Sequence, residues 1–136
     1  MSDLEVLNAR LAGQLSDLSA NIWPAGHLEE CLRLALGGYN RAAGASFCIG
    51  GLDGALISTL PAAQWDLLLC GAAGLAVAAH ALERISQFSP DSGVGTALLG
   101  WAQWQMERFE AGLEMVRRQG LQTSAANPYT PWEWED

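Results

Sequence analysis

A chain of 136 residues, half of them hydrophobic, can bury a single core without a metal or a disulfide, and one domain is the expectation at this length. The net charge of −8 excludes a protein that grips nucleic acid through a basic surface, because phosphate binding needs clustered cations. Cys31, Cys48 and Cys70 are odd in number and widely spaced, and with no Cys-x-x-Cys pair and no secretory pattern at the start they suggest reduced thiols in an intracellular setting.

Ser2-Asp-Leu-Glu5 is a capping-box pattern. After it Leu4, Leu7, Leu11, Leu15, Leu18 and Ile22 recur at helical spacing. A first helix is predicted over 3–21, ended by Pro24, with its apolar stripe docked on the body of the same chain. A second helix is predicted over 26–43, with Leu28, Cys31, Leu32, Ala35, Leu36 and Tyr39 inward and Glu29, Glu30, Arg33, Asn40 and Arg41 outward. Gly37 and Gly38 weaken its last turns by roughly 1 kcal/mol each. Residues 44–54 are Gly-rich and too short for a helix, and read as a loop with room for one short strand. Gly50, Gly51 and Gly54 lack the Lys-Ser/Thr ending and the strand-to-helix register of a phosphate loop.

Ser58 and Thr59 can cap a helix whose first turn tolerates Pro61. From 62 to about 88 follows the most apolar element, with Leu67 to Ala79 uninterrupted by any polar side chain. That run is short of the roughly 20 residues a membrane span requires, so a helix at the centre of a bundle is expected. Its many Gly and Ala residues let neighbours approach closely. Ser89-Pro-Asp91 breaks the chain before a last helix over 96–119, with Arg117, Arg118 and Gly120 as its stop signal. Leu98, Trp101, Ala102, Phe109, Leu113 and Val116 form its inner stripe, with Trp104, Arg108 and Met115 to one side. Trp101 and Trp104 are expected to pack in the core rather than to form an aromatic binding patch.

The fold predicted is therefore all-α: a small bundle of about four helices over 1–120, with a Gly-rich central loop, followed by an extended tail over 121–136. That tail carries Tyr129, Pro131, Trp132 and Trp134. Pro128 and Pro131 bias their neighbours towards extended backbone, so the three aromatics cannot gather on one face of a local helix. Burying an aromatic ring is worth roughly 1.5–3 kcal/mol. Aromatics with no local core to enter point to a docking segment, and these four residues are the candidate partner-binding site.

No nucleophile, base and orienting group are recognisable together, so no catalytic residue is assigned and the chain is not expected to be an enzyme. The Glu107, Glu110 and Glu114 row has the spacing of a solvated helix face. No cofactor and no metal are expected. His27 and Cys31 share a helix face, but a zinc site would have to recruit His80, Cys48 or Cys70 from elsewhere.

The segment Leu28-Glu-Glu-Cys-Leu-Arg-Leu-Ala-Leu-Gly-Gly-Tyr-Asn-Arg41 resembles the early helix of the head-to-tail connector proteins of tailed bacteriophages, also called adaptor or head-completion proteins. A Gly-rich connection follows, then Leu60-Pro61 opening an Ala-rich helix, and an amphipathic closing helix over 101–118 centred near Phe109. The resemblance covers 28–119; the short 44–54 link departs from it, where many relatives carry a longer stretch. It implies a structural virion protein made in the host cytoplasm and placed in the neck. There it would form a homo-oligomeric, usually dodecameric ring between the portal protein and the tail or stopper proteins. DNA would pass through the channel without specific binding and no membrane would be involved. Tyr129, Pro131, Trp132 and Trp134 would dock on the portal or on neighbouring subunits. Two other readings remain open: a small helical regulator or adaptor presenting its acidic aromatic tail to a host protein, and a helical enzyme or metal protein using His27, Cys31 and His80.

Overall fold

The computed structural model describes residues 2–15, 23–87 and 94–123, the side chains of 83–87, 94–96 and 120–123 excepted. Four helices make up these residues, with no strand among them: α1 (Asp3–Gln14), α2 (Ala25–Ala43), α3 (Trp65–Gln87) and α4 (Val94–Thr123). A single 3₁₀ turn, Ala62–Gln64, leads into α3 after Pro61. The all-α bundle expected from the sequence is the fold observed.

The N-cap half of the capping box forms, the Glu5 backbone N–H donating to Ser2 Oγ at 3.3 Å. Leu4, Leu7 and Leu11 of α1 are buried, so the stripe docks on its own chain. The helix ends at Gln14 with Leu15 as its cap; the predicted continuation through 16–21 lies outside the described residues. All six residues predicted inward on α2 are buried, and Ala42 joins them. Gly44 ends α2 in the left-handed conformation, φ 65°, where its N–H reaches Asn40 O.

Helix α3 is the central element and packs most extensively on α4, then on α2 and α1. The stretch Ala62–Leu82 is long and apolar enough to cross a bilayer. In this fold its Leu68, Leu69, Ala72, Ala73, Ala76 and Val77 are covered by the other helices. Three glycines bring α3 and α4 together: a Cβ on Gly71 would meet the Phe109 ring, one on Gly74 would meet Met106, and one on Gly112 would meet Leu67. Trp23, just before α2, ties the near end of the bundle by donating its indole N–H to Ala76 O at 2.9 Å.

Four expectations need correction. Residues 44–54 contain no strand: 46–49 are irregular, and two consecutive turns follow, Leu52 N donating to Ile49 O and Ala55 N to Leu52 O. Helix α4 does not stop at Gln119 but runs through Gly120 to Thr123, since one glycine costs a helix only about 1 kcal/mol. Trp104 is not a core residue: it is 52% exposed, whereas Trp101 packs against the core. Asn40 does not simply face solvent, because its amide is bonded to the loop.

Candidate interaction surfaces

Residues 44–60 are fixed by their two neighbouring helices. From α2, Asn40 Nδ2 donates to Phe47 O at 3.1 Å, and Phe47 N donates back to Asn40 Oδ1 at 2.9 Å. Also from α2, the Arg33 guanidinium grips Asp53, with Nε 3.1 and 3.0 Å from its two carboxylate oxygens and Nη2 2.8 Å from Oδ1. Hydrogen bonding from Arg33 holds the Asp53 carboxyl below its ordinary range. At α1, Leu4 N donates to Gly50 O at 3.0 Å, and Ser58 Oγ accepts from Gly50 N while donating to Asp3 Oδ2. Gly51, at φ 96°, sits so close to Ser2 and Leu4 that any side chain there would collide with them.

The loop closes on itself between Cys48 and Thr59: Thr59 N donates to Cys48 O at 2.9 Å, and Cys48 N donates to Thr59 Oγ1 at 2.8 Å. Ile49, Leu52 and Leu60 point into the core. With its base anchored in this way, the loop holds Leu56 96% and Ile57 71% exposed at its tip. Two adjacent aliphatic side chains in water forgo roughly 1.5–3 kcal/mol each relative to burial.

A second surface is a groove of about 380 Å³ between α2, α3 and α4. Phe109 and Leu113 are its buried floor, Met106 is partly covered, and Leu34 is its 54% exposed wall. Arg41 and Arg117 stand at its edge with Glu110. Arg117 is paired with Glu114, whereas Arg41 makes no ion pair among the described residues.

The third surface runs along α4. Trp104, Arg108, Ala111 and Met115 are all exposed at i, i+4, i+7 and i+11, a single helical stripe. The Arg108 guanidinium lies 4.8 Å from the Trp104 ring centroid, and Met115 is 62% exposed.

The groups that could have carried chemistry are held in structural contacts. Cys31 Sγ lies 3.9 Å from His27 Nε2, but burial, aided by the Glu30 charge, pushes its thiol up to about 11. A thiol so raised is a poor nucleophile and a poor zinc ligand at neutral pH. Cys70 Sγ donates to Gln105 Oε1 at 2.9 Å, and burial raises it as well, against the opposing charge of Arg108. His80 packs edge-on against Trp23 with ring centroids 5.2 Å apart. Among the described residues no three His, Cys, Asp or Glu side chains converge as a metal site would require.

Of the residues picked out from the sequence, Tyr129, Pro131, Trp132 and Trp134 all lie outside the described residues. The loop tip at Leu56 and Ile57 and the groove wall at Leu34 were missed. The tip had a readable signal, two aliphatics inside a Gly- and Ser-rich loop. Leu34 had one too, since it breaks the polar face of α2. No protein-family model matches this chain, and no curated protein or solved structure does either.

Proposed function

We propose that this chain is a structural ring subunit of a virion neck, bound between a portal and tail or stopper proteins and lengthening the channel through which DNA passes. The observation that carries the reading is the exposure of large apolar side chains in separate places: Leu56 and Ile57 on the loop, Trp104 and Met115 on α4. A ring closes through heterologous contacts, in which each subunit must offer two different surfaces. An anchored apolar knob and a long helical stripe suit such a contact. The net charge of −8 suits a channel wall, because a surface that attracted phosphate would retard DNA. The segment with Tyr129, Trp132 and Trp134 serves as the docking extension to portal or neighbouring subunits.

The test uses the purified full chain mixed with portal rings and imaged by electron microscopy, with mass photometry of the same mixture. Rings stacked on portal are expected. The variant Leu56→Asp/Ile57→Asp should keep its helical circular dichroism and lose ring closure. No binding to portal by the unaltered chain would end the proposal.

A further inference from the structure

The α2/α3/α4 groove has an apolar floor, an exposed leucine wall and two arginines at its edge, in a protein whose overall charge is strongly negative. Two of the chain's seven basic residues stand there, against the single carboxylate of Glu110. The Arg41 guanidinium lies over the bare backbone of Gly37 and Gly38, within 3.5–3.7 Å of where their Cβ atoms would be. The segment 124–136 has the complementary chemistry, with three aromatics, Tyr129, Trp132 and Trp134, and three acids, Glu133, Glu135 and Asp136, in its last eight residues.

Its reach also fits. Helix α4 ends at Thr123, and Arg117 and Phe109 lie about 9 and 21 Å back along it at 1.5 Å per residue. Nine extended residues carry the chain from Thr123 to Trp132, about 30 Å. That covers the distance to Phe109 and leaves about three residues for the reversal. Ser124 to Asn127 supplies small and turn-favouring residues before Pro128, and an Asn-Pro pair commonly begins a turn.

We propose that in the unassembled subunit residues 124–136 fold back into the groove of their own chain. Trp132 and Trp134 then lie against Phe109, Met106 and Leu34, and the acidic residues lie beside Arg41 and Arg117. The tether favours this occupant, because a short linker gives its segment an effective concentration near millimolar. Groove and tail thus cover one another, and a subunit must open this contact before its tail can engage anything else. The inference stands whether or not the chain belongs to a virion neck.

A fluorescein-labelled peptide of residues 121–136 is titrated by fluorescence anisotropy into two full-length chains, the unaltered one and Trp132→Ala/Trp134→Ala. The altered chain, its groove vacated, should bind the peptide at least about tenfold more tightly than the unaltered one, a difference of about 1.4 kcal/mol. Adding Leu34→Ser or Arg41→Glu to the altered chain should abolish that binding, whereas Arg118→Glu, which does not line the groove, should leave it. Both changes in the groove fall on exposed side chains, so the fold survives them. Equal affinity for the two chains shows an open groove and overturns the proposal, and so does failure of the altered chain to bind. Portal binding is scored separately. A chain that assembles on portal while its groove stays open sinks this inference and leaves the ring reading standing.

Discussion

Phe109 of α4 lies against the bare backbone of Gly71 in α3: a Cβ built on Gly71 would come within 2.7–2.8 Å of three ring carbons. The two helices meet at a separation that no larger residue at 71 allows, and α3 with α4 is the most extensive helix pair in the fold. Gly71→Ala should therefore destabilise the protein by about 1–3 kcal/mol, the usual cost of overpacking. Urea denaturation reads it directly. Gly71→Ala/Phe109→Leu should recover part of the loss, since the shortened ring position makes room for the methyl group. By contrast Gly13, on the exposed side of α1 with nothing within 4 Å, should gain about 0.4–1 kcal/mol on change to Ala.

Two tryptophans separate hydrogen bonding from packing. Trp23 donates its indole N–H to Ala76 O, bridging the start of α2 to the middle of α3. Trp65 buries the same group with no acceptor among the described residues, although its ring carries the Arg10 guanidinium 5.6 Å from the centroid. Trp23→Phe loses a made bond as well as ring area and should cost about 1–3 kcal/mol. Trp65→Phe removes an unsatisfied donor, which offsets the lost area, and should cost clearly less. The comparison is read from thermal unfolding of the two variants under the same conditions, and equal losses would contradict it.

The inward face of α2 was legible because Leu28, Leu32, Ala35 and Tyr39 recur at helical spacing, a property of the helix alone. Periodicity set Trp101 on the inner stripe and Trp104 beside it, but did not show that Trp104 stays out of the core. Three residues apart, both lie near one face, and only the position of α3 decides that the first is covered and the second left in water. Gly120 gave a sound local stop signal, overridden because a single glycine costs less than the helix gains by continuing. Asn40 looked like a solvated polar residue, since nothing local indicates that the chain returns Phe47 to its amide. The groove was invisible for a similar reason: Leu34, Leu75 and Phe109 come from three helices. The aromatic and acidic composition of 124–136, by contrast, is readable directly.

Thiol chemistry offers an independent check of burial. The Cys31 thiol is pushed up to about 11 by burial and by Glu30, and Cys70 is raised by burial while donating to Gln105. Cys48 sits on the loop, partly exposed, in hydrogen bonds to Ile57 O and Thr59. With an aromatic disulfide reagent at pH 8 the folded protein should show one fast thiol, removed by Cys48→Ser. Two slow ones should appear only on unfolding. The sign of the linkage follows from the raised Cys31 value: its contribution to stability is complete below the unfolded thiol range near 8.5 and is lost as pH rises to about 11. Cys31→Ala should flatten that alkaline decline.

The Arg33 and Asp53 pair sets an acid limit on the loop. Hydrogen bonding to Arg33 lowers the Asp53 carboxyl, and the same bond raises the guanidinium, which stays charged throughout. A lowered carboxyl contributes stability that is complete above its unfolded value near 3.9 and is lost as pH falls through its folded value. The loop should therefore hold its arrangement through neutral and mildly acidic pH and loosen only below about pH 4. The Asp53 side chain is 61% exposed and that of Arg33 36%, so salt screens the attraction and the global effect is small. The sensitive readout is local: amide exchange at Leu52 and Ala55, whose N–H groups donate to Ile49 O and Leu52 O inside the turns. Referred to the intrinsic exchange rate at each pH, the protection of these amides should fall on acidification in the unaltered chain, whereas in Asp53→Asn it should be low at every pH, and Arg33→Lys should fall between them because an ammonium cannot reproduce the bidentate grip. Unchanged exchange in Asp53→Asn would assign the loop's rigidity to Asn40 and Ser58 alone.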